Sequence, residues 1–223
     1  MPETRSVGEI LRDAELGRLE NVFAESREPY DLVGAADRLF DLLDERRVDY
    51  VLVGGMAMLQ YVEGRNTRDV DLILDGSALD RLPEIAISSQ DADFARGDFE
   101  GVQIDILKTK NEVFDFVRTH LAATISFGER DLVCATPQGL FVLKAYALPS
   151  LYRQGEFARS DLYESDLRAL LRSFEIDEDT LIAHLTPHML PTDIKAIRDV
   201  LRDLRTQIAR SGERARDVGS RHE

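Results

Sequence analysis

One cysteine, four lysines and no apolar run of membrane-spanning length are what this sequence has little of, and each shortage excludes something. A lone Cys134 rules out an intramolecular disulfide and a cysteine-based zinc cluster. With lysine confined to Lys108, Lys110, Lys144 and Lys195, positive charge rests mostly on arginine, and each lysine position acquires interest. The net charge of -14 argues against a protein that coats nucleic acid through a broad basic face. The opening stretch MPETRSVGEILRDAE is acidic and amphipathic rather than a basic signal with an apolar core, so a cytoplasmic location without membrane attachment is expected. Both the lysine-hydroxyl signature of a phosphate-loop NTPase and the dinucleotide fingerprint are missing, which removes two common nucleotide folds. There is no internal repeat.

What is present suffices for a real core: 43% of 223 residues are hydrophobic. Apolar periodicity predicts helices over Val7 to Phe23 and Tyr30 to Arg47, separated by AESREP. YVLVGG reads as a short buried strand that ends in glycines, MAMLQYV as a helix entered from them, and DVDLIL as the next strand. DGSALDRLPEIA suits a short helix. DADFARGDFEGVQIDILKT suits a hairpin whose second strand is GVQIDIL. NEVFDFVRTHLA is weakly helical, and ISFGERDLVCAT suits an edge hairpin or strand pair. Thr136 caps, and Pro137 begins, a helix over TPQGLFVLKAYALPSLYR. Further helices follow over Ser160 to Phe174, Asp179 to His184 and Leu190 to Arg210. The expected organisation is a mixed α/β region over 1–133, a helical region over 134–210 and a mobile tail over 211–223.

Asp69 and Asp71 alternate with Val70 and Leu72, so both carboxylates project from one face of a strand. Two acids so placed repel, and without a cation one of them tends to take up a proton. A hard divalent ion with oxygen ligands, magnesium above all, relieves the repulsion and keeps positions open for phosphate oxygens. Asp105 interrupts GVQIDIL in the same way. If that strand pairs beside DVDLIL, three carboxylates can hold two ions ~4 Å apart, the spacing that clamps an in-line phosphoryl displacement. A half-exposed sheet that shows acids to water accounts for Asp-Val-Asp alone. The third strand aspartate and the glycines upstream shift the balance toward a site.

Gly54 and Gly55 stand between strand and helix, where backbone can approach a phosphate and helix-start amides can point at it. Taken alone, a glycine pair is equally a tight turn.

In that order, VGG, RNTRDVDLIL and QIDIL resemble the nucleotidyltransferase superfamily related to DNA polymerase beta. GRNTRDVD is most similar to the AbiEii-type toxins and their uncharacterised relatives. The chain also resembles aminoglycoside and lincosamide nucleotidyltransferases, from whose GGWA motif GGMA departs. The match spans Tyr50 to Leu107 and extends more loosely, through ATPQGLFVLKAYA and SDLYESDLRALL, to Leu171. It implies an α/β (α+β) fold with a small mixed palm-like sheet, flanking helices and a helical C-terminal part. It implies transfer of a nucleoside monophosphate from an NTP to an acceptor hydroxyl with release of pyrophosphate, using two magnesium ions held by Asp69, Asp71 and Asp105. Gly54 and Gly55 would cradle the triphosphate. Arg65 and Thr67 would organise the loop or touch nucleotide phosphates, and Lys144 would neutralise charge as pyrophosphate leaves. Asp161 and Asp166 compete for a further acidic position.

The acceptor implied is RNA, such as a tRNA end, under control of an antitoxin partner; a small-molecule antibiotic is the alternative. A rival of another class is a catalytically silent regulatory module of the same fold. HLTPH offers His184 and His188, but Pro187 interrupts the helix that would aim both at one zinc ion. Basic residues exceed acidic ones after Lys195, which suits either an RNA-guiding surface or an ordinary solvated helix face.

Overall fold

A computed structural model describes residues 32–127 and 130–219. The expected helix over Val7 to Phe23, and the first residues of the one expected from Tyr30, lie outside the described residues. The chain forms two compact units that divide between Leu140 and Phe141.

In the first unit, helix α1 (Leu32–Glu45) buries Leu32, Ala35, Ala36, Leu39, Phe40 and Leu43, the helical stripe that its sequence spells out. It leads to β1 (Tyr50–Val53). The Phe40 ring stacks on that of Tyr50, centroids 5.8 Å apart. A five-residue helix α2 (Gly54–Met58) and a loop connect to β2 (Asp69–Leu74). A 3-10 turn (Gly76–Arg81), entered through Asp75, whose side chain accepts from the Ser77 amide, stands where a short helix was expected. Strands β3 (Ala86–Gln90), β4 (Phe94–Phe99) and β5 (Val102–Lys108) follow. Next come α3 (Glu112–His120), capped by Asn111, then β6 (Ala122–Phe127) and β7 (Arg130–Ala135).

The seven strands form one mixed sheet in the order β3-β4-β5-β2-β1-β7-β6. The fold class is therefore mixed α/β, as the sequence implies. β2 pairs parallel with β5 and antiparallel with β1, so the two aspartate-bearing strands lie side by side near the middle. Val70, Leu72 and Leu74 on one face of β2, and Ile104 and Ile106 on β5, are fully buried. Burying each such side chain contributes about 1.5–3 kcal/mol, which pins the register, since a slip of one residue would turn the aspartates into the core.

β4 and β5 form the expected hairpin. Its turn is tighter than Gly97 and Gly101 suggest: Glu100 and Gly101 alone make it, both left-handed at φ 52° and 83°, while Gly97 lies inside β4 opposite Ile104. Two such residues match the right-handed twist of the flanking strands. β3 is a strand that the sequence reading leaves out.

Helix α4 (Pro137–Gln154) begins where Thr136 and Pro137 predict, with Thr136 Oγ1 accepting from the Gly139 amide at 3.3 Å. The second unit continues with α5 (Phe157–Ser173), α6 (Glu178–Leu185), a 3-10 turn (Thr186–His188) and α7 (Pro191–Gly219). α5 packs with α7, and Leu167, Leu170 and Leu171 of the one and Ile197, Leu201 and Leu204 of the other are buried. The last helix runs past its expected end at Arg210 to Gly219. Glu213, Arg214, Ala215 and Arg216 are good helix formers that continue a helix without an apolar stripe to announce it. Among the described residues no helix is long and apolar enough to cross a membrane.

Candidate metal centre

The register of the sheet builds the site. Asp71 is level with Asp105 in the parallel β2–β5 pair, and Asp69 is level with Gln103. Because side chains repeat every second residue, Asp69, Asp71, Gln103 and Asp105 share one face. Each aspartate offers one carboxylate oxygen, and these three oxygens lie within 4.8 Å of one another. Asp105 is buried and the other two half-buried. Among the described residues no other group of three or more His, Cys, Asp or Glu side chains converges in this way. His184 and His188 are exposed on α6 and the turn after it.

An all-carboxylate donor set this tight fits a hard divalent cation, since ions such as magnesium take oxygen ligands and use one or two protein carboxylates beside phosphate oxygens. Asp69, Asp71 and Asp105 are the residues that would hold it.

Neighbouring groups hold each aspartate in place. Thr67 donates its hydroxyl to Asp69 Oδ1 at 2.9 Å. The Gly55 amide donates to Asp71 Oδ2 at 3.3 Å. The glycine pair is tailored to these side chains: a Cβ on Gly54, whose φ is +61°, would stand 1.8 Å from Asp71 Oδ2, and one on Gly55 would stand 2.3 Å from Thr67 Oγ1 and 2.5 Å from Arg65 Nη1. The strand thus ends in glycines for a reason beyond any phosphate: the carboxylate of Asp71 and the Arg65–Thr67 loop occupy the space that side chains there would fill. Arg65 is half-buried, and its Nη1 donates to the Asn66 carbonyl at 3.1 Å.

Two residues of the site escape the sequence reading. Arg96 of β4 lies opposite Asp105 and donates through a fork, Nε to Oδ1 at 2.6 Å and Nη2 to Oδ2 at 2.8 Å. Gln103 Nε2 adds a bond to Asp105 Oδ2 at 3.2 Å. The hydrogen bond to Asp105 raises the Arg96 pKa above the usual arginine range; partial burial opposes the shift, and the charges of Asp105, Asp69 and Asp71 reinforce it. A usable signal exists: Arg96 and Asp105 each stand four residues from the Glu100–Gly101 turn, so counting the hairpin register pairs them.

Lys144, Asp161 and Asp166 belong to the second unit. Lys144 Nζ lies 2.6 Å from Asp166 Oδ2, both side chains 4% exposed, and 4.4 Å from the centre of the Tyr163 ring. Asp161 is exposed. Of the two candidate acids, Asp166 is therefore the one joined to the lysine.

No family model matches the chain, and no curated protein matches it in sequence. Among solved structures, the chain is similar to the antibiotic-resistance factor ANT(2'')-Ia in solution, with a TM-score of 0.49 and 12% identity over 82% of this chain and 97% of that one. It is similar to ANT(2'')-Ia in complex with adenylyl-2''-tobramycin at a TM-score of 0.47 and 10% identity, over 78% of this chain and 97% of that one. It is also similar to an antigenic nucleotidyltransferase-like protein from Paracoccidioides brasiliensis, at 0.45 and 16% over 87% of this chain and 95% of that one. None of these exceeds 16% identity or a TM-score of 0.49, and no activity passes to this chain from them.

Proposed function

We propose that the protein is a metal-dependent nucleotidyltransferase that moves a nucleoside monophosphate from an NTP to an acceptor hydroxyl. The observation that carries this reading is the meeting of Asp69, Asp71 and Asp105 within 4.8 Å on one sheet face, beside a glycine turn. A divalent ion bound there, with magnesium the best match and two ions the full complement, would neutralise phosphate charge and lower the pKa of a bound hydroxyl. Asp69 and Asp71 would hold both ions, and Asp105 the one that serves the acceptor.

The acceptor oxygen forms a bond to the α-phosphorus, the bond from that phosphorus to the bridging oxygen of the β-phosphate breaks, and pyrophosphate departs with the electron pair. Asp105 accepts the hydroxyl proton. Thr67 fixes the orientation of Asp69, and the Gly55 amide that of Asp71. Gly54 and Gly55 let Asp71 and the Arg65–Thr67 loop lie against the backbone, and the triphosphate would be cradled beside that packed turn with Arg65 to meet its charge. The motif resemblance gives Lys144 and Asp166 a part in nucleotide binding, and their buried pairing supports a lysine held in one position.

The resemblance of GRNTRDVD to AbiEii-type toxins supports RNA, such as a tRNA end, as acceptor, with an antitoxin as partner and the cytoplasm as the place of action. Incubation of the protein with magnesium and each α-labelled NTP, against a tRNA pool in one series and aminoglycosides and lincosamides in another, tests this. Label in tRNA together with pyrophosphate release is the expected result. Label only on an antibiotic assigns the small-molecule reading, and no labelled product with any NTP favours a silent regulatory module.

A further inference from the structure

The register places Arg96, Asp105 and Asp71 level across three adjacent strands, on the face that also carries Asp69. The guanidinium takes both oxygens of Asp105, and Gln103 takes a further lone pair of Oδ2. This is the planar two-pronged geometry that arginine forms with carboxylate and that lysine, a point charge, cannot reproduce. The hydrogen bonds to Asp105 hold Arg96 there, and the negative charges of Asp69 and Asp71 lie near it. Its side chain is 46% exposed, so it can turn into water without breaking the core.

We propose that Arg96 is a positioning residue that competes with the acceptor-side divalent ion for Asp105, so that the third carboxylate serves the metal site only when the ion displaces the guanidinium. This rests on the metal reading above.

The physical reason is that one carboxylate serves two cations poorly. Its oxygens have spare lone pairs, yet a divalent ion bound to either oxygen would lie close to a guanidinium charge, and repulsion at that range is strong even with partial screening. Engagement of Asp105 by an ion would therefore require an exchange of cations. Arg96 therefore sets the divalent-ion concentration at which the centre completes, and keeps three converging acids from repelling one another below it.

Manganese titrations of the full chain by calorimetry, on wild type, Arg96→Ala, Arg96→Lys and Asp71→Asn, test the proposal without reference to turnover. Removal of the competing charge in Arg96→Ala is expected to tighten manganese binding about tenfold or more. Arg96→Lys keeps the charge, loses the fork, and is expected to fall between the two. If Arg96→Ala does not fold, Arg96→Gln, a neutral donor, carries the same expectation as Arg96→Ala. Unchanged or weaker binding in the neutral variant, with binding reduced in Asp71→Asn, overturns the role of Arg96 and leaves the metal reading standing. Wild-type binding in Asp71→Asn overturns the metal reading itself.

Discussion

Thr67 reaches across the start of β2 to donate its hydroxyl to Asp69 Oδ1 at 2.9 Å, so the first acid of the trio has its orientation fixed by a neutral side chain two residues before it. The same hydroxyl lies 3.2 Å from the Asp69 carbonyl. A bond of this kind stabilises by about 1 kcal/mol net, yet loss of an orienting partner typically weakens a metal site about 10–100-fold.

Thr67→Val keeps the shape and loses the donor. It is expected to lower manganese affinity by roughly tenfold or more with little loss of thermal stability, while Thr67→Ser retains most of the affinity. Calorimetric titration and a melting curve on the same samples check both halves.

Gly54→Ala inserts a methyl group 1.8 Å from Asp71 Oδ2 at a residue with φ +61°. The backbone strain alone costs about 1–3 kcal/mol, and Asp71 must also move. Chemical denaturation is expected to show that loss together with loss of metal binding. Gly64→Ala is the control, because φ is +74° there but nothing lies within 4 Å, so it should be strained yet bind metal as wild type does.

Lys144→Met removes the partner of Asp166 from a buried pair. Breaking a buried pair by removal of one partner typically costs about 3–5 kcal/mol, so urea denaturation should show a large drop in stability. The double variant Lys144→Met with Asp166→Leu is expected to recover much of it. Asp161→Asn, at an exposed position, should stay within about 0.5 kcal/mol of wild type.

Cys134 is buried in β7, and burial pushes its thiol pKa up to about 12. At pH 8 the folded protein should therefore be inert to a thiol reagent that labels the unfolded chain fully. Because the folded value lies above the ordinary thiol value of 9.0, the stability that the neutral thiol contributes is complete below pH 9 and is lost as pH rises toward 12. Following unfolding free energy from pH 8 upward, with Cys134→Ala as reference, checks the sign.

The central acids are legible because a charge inside an apolar strand contradicts its surroundings, as Asp71 and Asp105 do, and Asp69, which opens β2, shares the face of Asp71. That they meet depends on β2 and β5 being parallel neighbours in register, a long-range pairing that strand patterns permit without specifying. Arg96 was hidden for a different reason: it sits in an alternating strand where an exposed arginine is ordinary, and only its register against Asp105 gives it meaning. β3 was missed because all five of its residues are exposed, which erases the alternation that marks a strand. Asp161 and Asp166 compete for one acidic position of the motif. Their difference lies on the helix: Asp166 shares the buried stripe with Leu167 and Leu170, whereas Asp161 faces water. The end of the last helix is hidden because SGERARDVG has no apolar periodicity.

The most direct measurement is incorporation of label from α-labelled NTP in the presence of magnesium by wild type and by Asp71→Asn, with circular dichroism to verify that both are folded. Wild type is expected to transfer label and release pyrophosphate, and the variant to lose more than about a hundredfold of that rate. Equal rates in the two proteins would contradict a catalytic centre built on the three aspartates.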